Sequence, residues 1–438
     1  MHSSRLVVAC VIGLCVHGVT VPVAPVAIAD DWPHWRGKHR NDVVDEHSGW
    51  TGTRWINSSP DWSVNVGEGA SSPIVVGSSI FTLGHRDGQN VVSNLDAASG
   101  TSVWTSTYPT RPYGRNATGD EGLYSGPSST PEFDVETKYL YTLSSDGDLH
   151  CWDTGNGGAR VWHRNLYDDY HMPRRAKVGR SGQRDYGYTS SPLVHGNWLL
   201  VEAGGPSGTL VALDKRTGKE RWRSQATSVA GHSGGLSPIL VEQVPCVALL
   251  TFDGLLVVRL DPEHAGKTVA TYPWVTDFAN NIATPAVLED CVLITSEYNH
   301  QAMCKLRITL RGAEKLWEKP YASKACTPVI HRGSIYVAWN RLRALDWQTG
   351  QLRWEGAAVG DAGSCVVTSD DKLIVWANRG DLLLVDLATC EKPEYRELAR
   401  VGRLANGDVW PHVVVAHHQI VCRDRMGNLK TFSIPKGE

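Results

Sequence analysis

Three stretches of this chain repeat one pattern. "NLDAASGTSVW" (Asn94–Trp104), "ALDKRTGKERW" (Ala212–Trp222) and "ALDWQTGQLRW" (Ala344–Trp354) each set Gly four residues and Trp eight residues after an Asp. Spacing that survives while the intervening letters change marks a structural unit, and such units decide the fold before any local propensity does. Upstream of each copy lies a short apolar strand opened by a Ser/Thr-Pro-like signal, then a second strand, then a turn rich in Gly and Asp. Copies run from Ser71 to Trp104, Ser128 to Trp162 and Ser190 to Trp222. Weaker ones start at Leu236, Ala283, Cys326, Cys365 and Trp410. Each holds about four runs of strand length in a period of roughly forty to fifty residues, which is the arithmetic of a propeller blade. No window offers an amphipathic helix of useful length. The last copy has only three strands, and "DWSVNVG" (Asp61–Gly67) is a strand without a blade. The expected fold is therefore all-β: an eight-bladed propeller of four-stranded antiparallel blades, with the N-terminal strand closing the last blade and leaving no open edge.

The motif has a physical reading. Asp214 can accept hydrogen bonds from backbone amides two or three residues on and so set a turn. Gly218 supplies the positive φ of the reversal. Trp222 then points back to cover the joint with a neighbouring blade. The same holds for Asp96/Gly100/Trp104 and Asp346/Gly350/Trp354, while Asp153/Gly155/Trp162 carries one extra residue before the Trp. Copy seven has Cys390 for the Gly and Tyr395 for the Trp, which predicts a looser joint. The chain holds 17 Trp against 5 Phe, as repeated docking positions require. Replacing a fully buried Trp222 by Ala should cost roughly 3–5 kcal/mol.

The N-terminus reads as an export signal over residues 1–29. Arg5 is its positive start, "LVVACVIGLCV" (Leu6–Val16) its apolar stretch, and "AIA" its small-residue cleavage site, placing Asp30 first in the mature chain. Residues 30–60 form a leader segment and 61–438 one propeller domain. No later stretch resembles a membrane span, so an integral membrane protein is not expected. A net charge of −3 with no basic block gives no reason to expect nucleic acid. Eight cysteines remain after cleavage, without C-x-x-C spacing, which disfavours zinc and permits disulfides. The best-placed pair is Cys291 with Cys304, on the two arms of a predicted hairpin, and the other cysteines read as buried small hydrophobes.

Ala212, Asp214, Thr217, Gly218, Lys219, Glu220 and Trp222 match the tryptophan-docking motif throughout, and the chain from about residue 60 to 435 resembles the pyrroloquinoline-quinone (PQQ) type β-propellers. The leader "DWPHWRG" (Asp31–Gly37) is similar to that of secreted PQQ-like propellers common in planctomycete-type bacteria. The propeller-type outer-membrane assembly lipoprotein is similar mainly in its repeats, and no convincing lipobox stands at the start of this chain. The resemblance implies the fold and leaves the activity open. Catalytic members of the family are quinoprotein alcohol and sugar dehydrogenases, with adjacent cysteines over the quinone and a calcium or lanthanide held by carboxylates and an Asn. This chain has no Cys-Cys pair, and no acidic metal ligand can be aligned.

A site is instead expected where the loops from each outer strand to the next inner strand gather at one mouth of the central channel. Two are long. Thr107–Pro127 brings Arg111, Tyr113, Arg115, Asp120 and Glu121; Tyr167–Tyr188 brings Asp168, Asp169, His171, Arg174, Arg175, Lys177, Arg180 and Arg184. Long loops serve function or merely screen the rim. The other loops supply His232, Asn280, Asn281, Lys324, Asp361, Asn406, Asp408 and Trp410. Arg groups there suit carboxylates or phosphate, and Trp410 suits stacking on a planar ligand or packing at a blade start. His417 and His418, on opposite faces of a strand, read as structural. Two functional readings stand. One is an exported binding or scaffold module, without catalysis or cofactor, taking a protein partner or small polar ligand at the mouth, and monomeric. The alternative is a PQQ- and calcium-dependent oxidoreductase with a degenerate site.

Overall fold

A computed structural model describes residues 30–110, 126–172, 186–276, 281–360, 363–387 and 394–435. The strands form eight separate antiparallel sheets in chain order, the blades of an eight-bladed β-propeller. Within a blade the chain runs from the inner strand by hairpins to the outer one. In blade 1, for example, the order is Ile74–Val76, Ser79–Arg86, Gln89–Asp96 and Ser102–Pro109. Blade 6 differs. One stretch of 13 residues, Ser334–Asp346, stands where other blades have their second and third strands, and Asn340 near its middle has φ of 54°. Helix is confined, among the described residues, to Leu166–Asp169 and one 3-10 turn at Thr154–Asn156.

Burial explains why alternation fades in the middle of each blade. Second and third strands are covered on both faces by adjacent blades, so they read as nearly continuous apolar runs; Cys291–Ser296 is buried at every position. Outer strands meet solvent and alternate, as Trp62–Asn65 does. The last blade closes as the repeat count requires: Trp62–Asn65 pairs antiparallel with Asn428–Ser433, Trp62 opposite Thr431. Arg423, fully buried, clamps this seam. Its guanidinium donates to the carbonyls of Ser71, Leu83 and Gly67 and to Thr82 Oγ1, at 2.6–2.9 Å. Burial lowers its pKa to about 10, and the bonds to four blade-1 groups compensate the desolvation.

The Ser/Thr-Pro signal proves to be an inter-blade fastener around the axis. His412 N donates to Ser72 Oγ at 2.7 Å, Ser72 N to Thr130 Oγ1 at 3.3 Å, and Thr130 N to Ser191 Oγ at 3.0 Å. Ser191 Oγ donates to Gly234 O, Ser237 Oγ to Pro285 O, Thr284 N to Thr327 Oγ1, and Val413 N to Ser364 Oγ. At seven of the eight blade seams a Ser or Thr hydroxyl thus satisfies a backbone group of the neighbouring blade.

The docking motif works across blades. Asp214 Oδ1 accepts from the amides of Arg216 and Thr217, at 3.1 and 2.9 Å, and Asp96 and Asp346 set equivalent turns. The indole of one blade then lies on the turn glycine of the next. Trp62 lies on Gly100, Trp104 on Gly158, Trp162 on Gly218, Trp222 beside Gly266, and Trp317 on Gly350. A Cβ on Gly218, whose φ is +68°, would stand 2.8 Å from Trp162. Trp162 Nε1 also donates to Lys215 O at 3.2 Å, as Trp62 and Trp317 donate to Ala97 O and Trp347 O. In blade 2 the glycine under the indole is Gly158, not Gly155, because the extra residue forms the 3-10 turn and moves the reversal along. Tyr395 packs on Trp354 at 5.6 Å and over Gly356; Cys390 lies outside the described residues.

The pairing of Cys291 with Cys304 is overturned. Cys291 stands opposite Arg307 and Cys304 opposite Ile294, so the two are three positions out of register. They also face opposite sides of the blade, Cys291 beside Leu293 and Met303, Cys304 beside Val292 and Ile294. Both are free thiols.

Candidate functional site at the axis

The leader is not a tether beside the ring; it fills one end of the channel. Asp31 accepts from Gly77 N at 2.7 Å, Trp32 bridges to Val75, and Phe133 N donates to Pro33 O. Trp35 Nε1 donates to Thr284 Oγ1 at 3.0 Å and its ring lies against Gly234 and Gly235, while Arg36 Nη2 donates to Pro328 O at 3.1 Å. The chain then reverses through Arg36, Gly37, Arg40 and Asp42, all at positive φ, and leaves along Val367 and Ser369 of blade 7. Residues from all but one of the blades are touched directly, and blade 3 is reached through Glu132, which binds Arg40 and accepts from Val194 N. At the centre sits a compensated charge cluster. Arg36 pairs with Asp42 at 2.5 Å, with 3% and 0% exposure, and His412 Nε2 approaches Asp42 at 3.3 Å.

His417 and His418 serve the same insertion. They lie at φ of 49° and 58° in the turn between the first two strands of blade 8, not along a strand. His417 reaches Asp31 at 2.7 Å and His418 reaches Glu46 at 3.2 Å. The sequence reading put them on opposite strand faces because two adjacent histidines at positive φ are uncommon.

The other end of the ring carries the loops from outer to inner strands. Arg111, Tyr113, Arg115, Asp120, Glu121, Arg174, Arg175, Lys177, Arg180, Arg184, Asn280 and Asp361 lie outside the described residues. Among the described ones, two of the expected groups, Trp410 and Lys324, form aromatic–cation contacts. Arg425, in the turn after the second strand of blade 8, lies 4.4 Å over the Trp410 ring and pairs with Asp408 at 3.5 Å. Arg425 is only 4% exposed, and its Nε and Nη2 have no acceptor. Lys324 lies between the rings of Tyr298 and Trp339, at 5.7 and 5.6 Å. The remaining groups are structural. Asn281 spends its amide on the carbonyls of Thr251 and Trp274 and accepts from Thr276. Asn406 N donates to Asp424, and His232 packs edge-on to Tyr186 and accepts from its amide. Asp169 pairs with Arg164, and Asp168 helps begin the short helix whose first amides Asn165 caps. Arg425 was missed because a lone Arg in a turn has no periodicity to betray it.

Residues 87–356 match the family model described as outer membrane protein assembly factor BamB. The chain belongs to that BamB family. BamB from Moraxella catarrhalis superposes with a TM-score of 0.58 at 13% identity, covering 86% of this chain and 99% of that one. A quinohemoprotein alcohol dehydrogenase from Comamonas testosteroni gives 0.62 at 14% identity over 93% of this chain and 81% of its own. At these identities the likeness is one of fold. The serine/threonine-protein kinase AfsK of Streptomyces griseus is 44% identical over 61 residues, 12% of this chain, which thus spans only 7% of that curated relative. The described axis of this BamB-family chain does not fit a calcium–quinone pair. Its Asn281 amide is spent on backbone, its Asp408 is paired with Arg425, and Trp32, Trp35 and the Arg36–Asp42 pair occupy the opposite end of the channel.

Proposed function

We propose that this protein is an exported binding module, not an oxidoreductase, and that it takes an acidic segment of a partner protein at the channel mouth. The carrying observation is Arg425. A buried guanidinium held against an indole and left with two unpaired nitrogens is costly unless an acceptor completes it. A carboxylate on a partner chain supplies that acceptor in the fork geometry that Arg prefers. Lys324, braced by two aromatic rings, adds positive charge at the same end. The plugged far end supports the reading, since it makes the ring a one-sided cup. Membership of a family described as an assembly factor supports it too, and that description together with the signal-like pattern of residues 1–29 supports export.

The test uses protein isolated from the cell envelope, whose N-terminal sequence should begin at Asp30. A capped hexaglutamate peptide, titrated by tryptophan fluorescence, should bind saturably, with affinity falling as salt rises. Arg425→Met should weaken it at least about tenfold, the scale of one lost charge-assisted bond. PQQ with calcium should give no dye-linked alcohol oxidation. Cytoplasmic protein retaining Met1, peptide binding unchanged in the variant, or calcium-dependent turnover would each overturn the corresponding part of the reading.

A further inference from the structure

Away from the axis, the seam between blades 1 and 2 gathers two imidazoles and a carboxylate. The third strand of blade 2 (Asp148–Asp153) pairs with its outer strand (Ala159–Asn165), His150 directly opposite His163 and Asp148 opposite Asn165. The two-residue alternation of a strand puts Asp148 and His150 on one face, and the pairing puts His163 on that face beside them. One ligand atom from each of the three lies within 4.8 Å of the others. His163 Nε2 already approaches Asp148 Oδ1 at 3.2 Å, and the two imidazole centroids are 4.3 Å apart.

His150 is the unexplained group. It is 1% exposed, stacked between Tyr108 of blade 1 at 4.1 Å and Trp152 at 4.8 Å, and neither ring nitrogen has a hydrogen-bond partner. Buried imidazole nitrogens are almost always satisfied, since one is a donor and the other an acceptor in the neutral ring. The neutral imidazole is the form that ligates metal. Asn165 Nδ2 donates at 3.0 Å to the same Asp148 Oδ1 that His163 approaches and so orients the carboxylate, as outer partners of metal ligands do, while Oδ2 lies 3.5 Å from Ser144 Oγ.

We propose that Asp148, His150 and His163 bind one divalent transition-metal ion of the zinc class. Two imidazoles and a carboxylate suit zinc, cobalt, nickel or copper and are too nitrogen-rich for calcium or magnesium. Three protein ligands leave at least one position for water. A tetrahedral ion with bonds of about 2.0–2.1 Å brings its ligands to about 3.3 Å apart. The cluster therefore tightens on binding, and the half-exposed His163 is the side chain free to move. Binding exchanges the Asp148–His163 hydrogen bond for two bonds to the ion. The ion would cross-link the two outermost strands of blade 2 under Tyr108 of blade 1. None of this depends on the mouth, so Arg425→Met leaves it unchanged.

The experiment takes the mature chain, stripped with chelator, and titrates it with Co²⁺ alone, then with Zn²⁺ in competition. One equivalent of Co²⁺ should give the intense visible bands of a low-coordinate ion, and one equivalent of Zn²⁺ should abolish them and raise the melting temperature. His163→Ala, at the solvent edge, keeps the fold and should weaken Co²⁺ by at least about tenfold while removing the Zn²⁺-induced shift. Asp148→Asn should weaken it similarly, which separates ligation from lost stacking. Absence of stoichiometric Co²⁺ binding would mean that His150 is aromatic filling or holds a water. Binding that persists in both variants would mean adventitious capture by other histidines. Either result overturns the proposal.

Discussion

At the scale of single residues, the turn aspartates show how a repeated letter becomes a chemical property. Arg221 donates to Asp214 at 2.7 Å, and with the Thr217 hydroxyl and amide it holds the Asp214 carboxyl down to about 2 against the opposing cost of burial. At Asp346 burial pushes upward, yet Arg353 and Thr349 still bring the carboxyl to about 2. An unfolded Asp titrates near 3.9. Each folded carboxyl is depressed, so its contribution is complete above about pH 4 and is lost as the pH falls towards 2. Urea midpoints should hold steady from neutrality to about pH 4 and then decline. The double variant Asp214→Asn, Asp346→Asn should start lower and decline less steeply over that window. Parallel declines would show that these turns are not linked to acid unfolding.

At the scale of elements, stability resides in the seams. The sequence expectation treated Trp222 as fully buried, but Trp162 and Trp222 are both partly exposed, so the loss on truncation falls at or below the lower end of the fully buried range. The two seams also differ. Trp162 donates its indole N–H to Lys215 O, whereas Trp222 Nε1 has no acceptor and meets Trp198 edge-on at 5.5 Å. Trp162→Ala should cost about 3 kcal/mol and Trp222→Ala about 2, the difference being one hydrogen bond. Chemical denaturation of the two variants checks the order, and a reversed order would remove the hydrogen bond from the account. Blades and their Asp-Gly-Trp turns were legible because spacing survives drift. The partner of each Trp was not: Gly158 displaces Gly155 through one inserted residue. Cys291 and Cys304 failed as a pair because an apolar run on both faces hides which way a side chain points.

At the scale of the molecule, closure was legible and the plug was not. A missing strand at one end and a spare strand at the other can be counted. The leader's partners in the ring, in contrast, lie from 43 residues away in sequence, as Val75 from Trp32, to 386, as His417 from Asp31, and no local pattern encodes them. The mouth was legible only as a set of loops, and of the described candidates Trp410 and Lys324 alone make cation–π contacts there, with Asp408 paired to the Arg425 that covers Trp410. The plug is electrostatically brittle. Asp42→Ala leaves Arg36 buried without its counter-ion, a change that typically costs about 3–5 kcal/mol. Its denaturation midpoint should fall by a correspondingly large amount, while Lys38→Ala, which breaks only the exposed pair with Asp30, should be nearly silent. Equal effects would mean that the axial pair does not anchor the leader.

The velcro of the last blade also sets a clock. Trp62–Asn65 is translated before the first blade, and its partner, Asn428–Ser433, only after the other seven blades. Until the ribosome has made both, the first strand is an unpaired edge and the plug has no finished socket. Such edges recruit whatever strand is nearest. A message that stops short of blade 8 therefore yields not a slightly smaller ring but an open one, sticky at both ends.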